Sequence, residues 1–216
     1  MGRKDAFNAE FERRVKAYYR HHEEYDWTRA TTRLTGIETI FHRARLAAVA
    51  DLTGRFGRPP FLDVGCGTAL MTRVLPDRTV GIDLNPRNLN KAIQYAPGAR
   101  FVLADAEGSI PLRDASFQTV VCTEMLEHLL YPERAVGEIR RVLKPGGMLI
   151  GSVPSRSWIW KLRALSGSSG HFEDEPYHNH YLRREVVELL SPHLAIRRIS
   201  GRYARTNWYF VCEKPA

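Results

Sequence analysis

One stretch constrains this chain more than any other: Phe61-Leu62-Asp63-Val64-Gly65-Cys66-Gly67-Thr68-Ala69. An apolar run ends in two glycines one residue apart, and an amphipathic segment, Leu70 to Leu75, follows. This pattern predicts a buried strand, a tight turn and the start of a helix. Glycine suits the turn because it has no Cβ to clash at positive φ. It also lets a ligand lie against the backbone, where amides at a helix start can donate to an anionic group. A dinucleotide site wants G-x-G-x-x-G. Here Leu70 stands at the third glycine position, and the acid, Asp63, comes before the first glycine. A carboxylate there would repel a pyrophosphate but could accept from an amino group.

The downstream order extends the pattern. Thr79 to Asp83 reads as a second strand ending in an acid, 20 residues after Asp63. Such an acid can accept hydrogen bonds from both hydroxyls of a ribose. Leu84 beside it could pack on a base, and Asn85-Pro86 starts a helix with proline in its first turn. Arg100 to Ala104 is a third strand, followed by Asp105-Ala106-Glu107. Phe117 to Cys122 is a fourth, followed by Thr123-Glu124-Met125-Leu126-Glu127-His128. A helix from Pro132 to Leu143 leads through Lys144-Pro145-Gly146-Gly147, read as a glycine cap, into a fifth strand, Met148 to Val153. Strand and helix alternate throughout, which argues for a parallel sheet with helices on both faces. After a helix from Leu182 to Leu190, segments 194–200 and 208–213 read as an antiparallel hairpin closing the sheet. Ahead of the core, residues 5–32 read as one or two helices, with Phe7, Phe11, Val15 and Tyr18-Tyr19 at helical spacing. Residues 36–54 read as another.

The motifs D-V-G-C-G-T, V-G-I-D-L-N-P, A-D-A-E, I-P-L-R-D-A-S-F, E-x-x-E-H and R-V-L-K-P-G-G-M-L-I follow one another from residue 61 to 153. In that order they resemble class I S-adenosylmethionine-dependent methyltransferases of the small-molecule type, in particular ubiquinone-biosynthesis-like O-methyltransferases. The resemblance implies an α/β, Rossmann-like fold: a seven-stranded, mostly parallel sheet with an antiparallel last strand and helices on both faces. It implies S-adenosylmethionine as cofactor, with its methionine end near Asp63 and the Gly65-Cys66-Gly67 turn, and its ribose on Asp83. Leu84, Asp105 and the Ala106 amide would then face the adenine. Arg45 matches by spacing an arginine that contacts the cofactor carboxylate. The N-terminal segment, with Tyr18, Tyr19, His21, His22, Tyr25 and Trp27, would lie over the cofactor.

Ligands in open α/β sheets bind at the carboxyl ends of strands. Thr123 and Glu124 should therefore flank the methyl donor. His128 is the one residue of that hexapeptide with an ordinary pKa suited to a base near neutrality. In the family the E-x-x-E-H groups can also hold a divalent metal, although no metal is assigned here. His180 is the second candidate, because the family often has a histidine just ahead of the next helix. Segment 154–181 should shape the acceptor pocket. Within it Trp158 and Trp160 could line that pocket or touch a membrane or partner subunit, and His178 and His180 offer only two well-placed metal ligands. The implied reaction is methyl transfer to a small, partly apolar acceptor, at a hydroxyl oxygen. N- or C-methylation, RNA methylation and a catalytically silent partner subunit are the alternatives. The chain lacks a D/N-P-P-Y/F sequence, which counts against amino-methylation of bases.

A chain of 216 residues suits a single domain. Within it, 1–56 reads as a helical cap, 57–153 as the cofactor half and 154–216 as the acceptor-shaping part. The net charge of +8 permits nucleic acid or an anionic surface. The basic residues are spread along the chain, however, and the cluster Arg197, Arg198, Arg202 and Arg205 lacks the interleaved aromatics of an RNA-binding sheet. Nucleic acid is therefore not the expected partner. No apolar run approaches the ~20 residues that span a bilayer. Cys66, Cys122 and Cys212 are too far apart for a metal or disulfide pattern. The expectation is a cytoplasmic monomer or homodimer, with at most peripheral membrane contact.

Overall fold

A computed structural model describes residues 8–22, 28, 36–157, 175–202 and 206–216, with the side chains of the second helix described from Arg43 onward. Phe7, Tyr25, Trp27, Trp158, Trp160, the 166–170 glycine-serine segment and Arg205 lie outside the described residues. The elements are α1 (Ala9–His21), α2 (Gly36–Phe56), β1 (Phe61–Val64), β2 (Val80–Asp83), α3 (Pro86–Tyr95), β3 (Arg100–Leu103) and β4 (Phe117–Thr123). They continue with α4 (Pro132–Val142), β5 (Leu143–Pro154), α5 (Arg183–Leu190), β6 (Ala195–Arg202) and β7 (Asn207–Glu213).

The seven strands form one sheet in the order β3-β2-β1-β4-β5-β7-β6. The first five run parallel. Strand β7 is antiparallel to both β5 and β6, so it alone is reversed. Strand order reverses between β1 and β4, which neighbour each other in register Asp63↔Val121 and Val64↔Cys122. That switch opens a crevice at the carboxyl edge.

Side-chain alternation divides the core in two. Leu62, Val64, Val120, Cys122, Leu149, Phe210 and Cys212 pack on one face with α4 and α5 residues such as Val136, Ile139, Val186 and Leu190. Phe61, Val121, Ile150, Tyr209 and Val211 point to the other face and meet Ala48, Val49 and Leu52 of α2. The inner strands β1, β4, β5 and β7 are thus apolar on both sides, as strands buried on both faces are.

Two local expectations fail. No regular helix follows the glycine turn; residues 68–71 are turns and only Thr72–Val74 make a single 3₁₀ turn. Ala69 at φ 69° interrupts any right-handed helix there. Strand β5 also starts five residues early, at Leu143, directly where α4 ends. The Gly146-Gly147 pair is therefore not a helix cap. Gly146, at φ 70°, sits inside the strand; its amide donates to the carbonyl of Lys214, just past β7, and the Lys214 amide donates to the Gly147 carbonyl.

Candidate functional site

The glycine turn is built from β1. The Gly65 and Cys66 amides both donate to the Ile82 carbonyl at 2.9 Å, which pins the turn to the end of β2. Gly65 has φ 72°, and a Cβ there would lie 2.4 Å from Met125 Cγ. Gly67 has φ 51° but faces open space, with nothing within 4 Å of a Cβ. The second glycine therefore marks where a ligand can approach the backbone. Cys66 is buried and packs towards β2, so it offers the site its backbone and not its thiol. Burial also pushes that thiol up. The Thr28 hydroxyl donates to the Thr68 carbonyl at 2.8 Å and holds the far side of the turn.

The acids behave differently from one another. Asp63 is buried, and its carboxylate accepts from the Thr72 hydroxyl at 2.6 Å. Burial, with the charge of Asp83 adding, raises its pKa to about 7. Asp83 accepts from the Gly67 amide at 2.8 Å and from the Asn85 amide at 2.8 Å. Burial raises its pKa too, and these bonds oppose the shift. Oδ1 also accepts from Asn88 Nδ2 at 3.4 Å, so of the two oxygens it is Oδ2 that keeps a second acceptor site for a ligand. Asp105 caps its own turn through the Glu107 amide at 2.9 Å and meets the Lys16 ammonium at 2.6 Å. Leu84, Leu103, Ala104 and Asp105 form one wall of a groove of about 690 Å³; Glu12, Lys16 and neighbours on α1 form the other. Leu84 and Asp105 thus line the same groove, and Ala106 follows directly in the same turn.

At the ends of β4 and β5 lies a second cluster. Glu124 stands at φ 50°, an uncommon conformation for a residue with a Cβ. Its carboxylate accepts from Ser152 Oγ at 2.6 Å and Asn207 Nδ2 at 2.8 Å, and pairs with Arg45 at 3.1 Å. Arg45 therefore reaches the same edge as the glycine turn. With five donors it can hold Glu124 and a second carboxylate together. Thr123, the last residue of β4, pairs in register with Ser152.

His128 ends a 3₁₀ turn, Leu126–His128, and 24% of its side chain is exposed. Its Nδ1 lies 3.1 Å from the Tyr19 hydroxyl. The His178 ring stands edge-on to it at 4.9 Å, and His180 stacks on His178 at 4.9 Å. Burial lowers the His128 pKa to about 3, with the charges of His178 and Arg45 adding. Burial likewise lowers His180 to about 4. Both rings are neutral at neutral pH. Among the described residues, His128, Glu175 and His178 bring one ligand atom each to within 4.8 Å of one another. The convergent set differs from the E-x-x-E-H reading, since Glu124 is taken by Arg45, Ser152 and Asn207. It also replaces the His178–His180 pair. Glu127 is buried with Oε2 lacking a hydrogen-bond partner, and burial beside Glu124 pushes its carboxyl well up.

Lys16, Ser152, Glu175 and Asn207 escaped the sequence reading. Lys16, Ser152 and Asn207 act on partners distant along the chain, which no local spacing announces, whereas Glu175 pairs with His178 three residues on and also nears distant His128.

In fold and in the order of its motifs the chain is similar to class I S-adenosylmethionine-dependent methyltransferases. Residues 62–151 match the family model described as a methyltransferase domain. Thiol S-methyltransferase TMT1B of Homo sapiens is 35% identical over 118 residues, covering 50% of this chain and 47% of that protein. A ubiquinone biosynthesis O-methyltransferase of Azoarcus sp. is 35% identical over 114 residues, covering 50% of this chain and 49% of that protein. The chain thus spans about half the length of these curated relatives. An S-adenosylmethionine-dependent methyltransferase of Methanosarcina mazei superposes with a TM-score of 0.62 at 22% identity, covering 76% of this chain and 97% of that one, and shows the shared fold. No helix among the described residues is long and apolar enough to cross a membrane.

Proposed function

We propose that this chain transfers a methyl group from S-adenosylmethionine to a hydroxyl oxygen of a small, partly apolar acceptor, one whose O–H is acidic in the manner of a phenol. The observation that carries the reading is His128: a neutral imidazole at the end of β4, beside the crevice that the glycine turn opens. A neutral imidazole can accept a proton, and a phenolic O–H releases one more easily than an alkanol does. The relative named for ubiquinone biosynthesis supports an O–H acceptor.

The chain's own groups fit the donor. The open face of Gly67 leaves room against the backbone, and Asp83 Oδ2 keeps acceptor capacity for a ribose hydroxyl. Leu84, Asp105 and Ala106 would hold the adenine, and Arg45 the carboxylate. Cys66 would contribute backbone, with Thr123 and Glu124 flanking the methyl end. Asp63 would act through Thr72 to fix the turn. When bound, S-adenosylmethionine supplies an activated methyl on a sulfonium. The protein's task is to hold the acceptor in line with that methyl and to take its proton, with His128 first and His180 in support. A thiol acceptor is the second reading, favoured by the likeness to a thiol S-methyltransferase; a thiol also ionises easily enough for a weak base.

Methyl-labelled donor incubated with phenols, alkanols, thiols, amines and RNA tests the assignment. Label should enter phenols, and His128→Gln should lower that turnover by roughly 10²–10⁴-fold. The wild-type rate should show no inflection near pH 6.5. Label in thiols alone would move the assignment to the second reading. A folded protein that binds no donor by calorimetry would instead be a silent partner subunit.

A further inference from the structure

Helix α1 presents Glu12, Lys16 and Tyr19 along one face, at i, i+4 and i+7, to the carboxyl edge of the sheet. Tyr19 lies furthest along this stripe, and among the described residues its hydroxyl meets two groups. Its hydroxyl donates to the Tyr177 carbonyl and lies 3.1 Å from His128 Nδ1. A phenol has one proton, and a carbonyl oxygen can only accept. Were that proton turned to His128, the Tyr19 and Tyr177 oxygens would face each other lone pair to lone pair in close contact. The proton therefore belongs to Tyr177, and Tyr19 meets His128 as an acceptor. A hydrogen bond between them then needs the hydrogen on Nδ1.

We propose that Tyr19 is a positioning residue that fixes His128 as the Nδ1–H tautomer and so leaves the Nε2 lone pair to receive the acceptor's proton. The inference rests on His128 being the base of the proposed reaction. The surroundings agree with it. Glu175 Oε2, at 3.9 Å from Nδ1, is beyond hydrogen-bond reach and does not compete with Tyr19 for it. That carboxylate is held by His178 Nδ1 at 2.7 Å. On the other side, Glu127 Oε1 stands 4.0 Å from Nε2, beyond hydrogen-bond reach. Segment 177–181, which carries the Tyr177 carbonyl, is anchored: the Asn179 amide donates to the Glu127 carbonyl at 2.9 Å and the Tyr181 hydroxyl to Leu126 at 3.0 Å. During reaction the Nε2 lone pair bonds the acceptor's proton, and the electron pair of the O–H bond stays on oxygen. The imidazolium formed keeps Nδ1–H on the Tyr19 oxygen. The base is thereby completed by a helix that also covers the adenine groove, since Lys16 of the same stripe sits on Asp105.

Long-range proton–nitrogen NMR on the full chain, with nitrogen-labelled histidine at neutral pH, reads the tautomer directly. The signal of His128 is assigned by its absence in His128→Gln. Wild type should show Nδ1 protonated and Nε2 bare. Tyr19→Phe keeps the ring and removes only the oxygen, so Nε2–H should become the major form. Its kcat should fall roughly 10–100-fold, as the competent tautomer becomes the minority, with the KM for donor within about twofold of wild type. A wild-type Nε2–H spectrum overturns the proposal even if Tyr19→Phe does not fold, and so does a Tyr19→Phe spectrum identical to wild type. Unchanged turnover in His128→Gln would remove the base itself, while the spectrum would still decide what Tyr19 does.

Discussion

At the scale of single residues, burial decides what the acids of the site can do. Asp63 stands where the sequence suggests a carboxylate open to an amino group, yet its side chain is sealed against Thr72. Its pKa of about 7 lies well above the ~3.9 of an unfolded aspartate. Between those values the folded chain holds a proton that the unfolded chain releases. Stability is therefore full in acid and lost as pH rises through the folded value. Asp63→Asn cannot ionise, so it should raise the melting temperature relative to wild type more at pH 8.5 than at pH 5. The extra gain should be about 2–4 °C for each kcal/mol recovered in a chain this size. Comparing one variant at two pH values cancels any altered contact with Thr72. An equal effect at both would mean that Asp63 is ionised throughout.

Elements differ in how they support the site, and α1 is the least embedded. Among the described contacts it is fastened by Lys16 on Asp105, Lys16 near Glu107 at 3.7 Å, Glu12 on the Tyr131 hydroxyl at 2.5 Å, Tyr19 on the Tyr177 carbonyl, Asn85 and Arg87 on the His22 and His21 carbonyls, and buried Val15. A half-exposed ion pair contributes little to global stability, about 0–1 kcal/mol. Local opening is another matter, because it needs only these few contacts to break. Lys16→Met should therefore leave the melting temperature almost unchanged while amide exchange across 9–21 speeds up and the strands stay protected. Exchange unchanged in α1 would show that Lys16 does not fasten the helix. The same contrast explains what the sequence could show. Strands β1 to β4 and the glycine turn are legible because short apolar runs, β-branched residues and strand-end acids are all local signals. The 68–75 segment misleads because its amphipathic spacing is overridden by contacts from afar: Thr28 takes the Thr68 carbonyl, Asp63 takes the Thr72 hydroxyl, and Ala69 turns left-handed. Lys16 as a fastener was invisible for the same reason, since its partners lie on another element.

The whole molecule is needed to make the Glu124 cluster. Arg45 comes from α2, Glu124 from the end of β4, Ser152 from β5 and Asn207 from the start of β7. Asn207 arrives opposite Pro154 only because β7 runs against β5. The sequence shows the reversed strand but not this register, as nothing local couples residue 207 to residue 124. Glu124 is only 14% exposed at its side chain and keeps a left-handed backbone, so it depends on its donors. Arg45→Ala leaves it Asn207 and Ser152; Asn207→Ala leaves it Arg45 and Ser152. Both together strand a poorly solvated carboxylate on a single hydroxyl. The double variant should therefore lose more stability than the sum of the singles, with a coupling of about 0.5–3 kcal/mol in urea unfolding. Repeating the cycle in a Glu124→Gln background should shrink that coupling, because a neutral amide needs no counter-charge. Simple additivity in the first cycle would mean that the three residues are neighbours without being a unit, and Arg45 would then be free to serve a ligand carboxylate without Glu124 steering it.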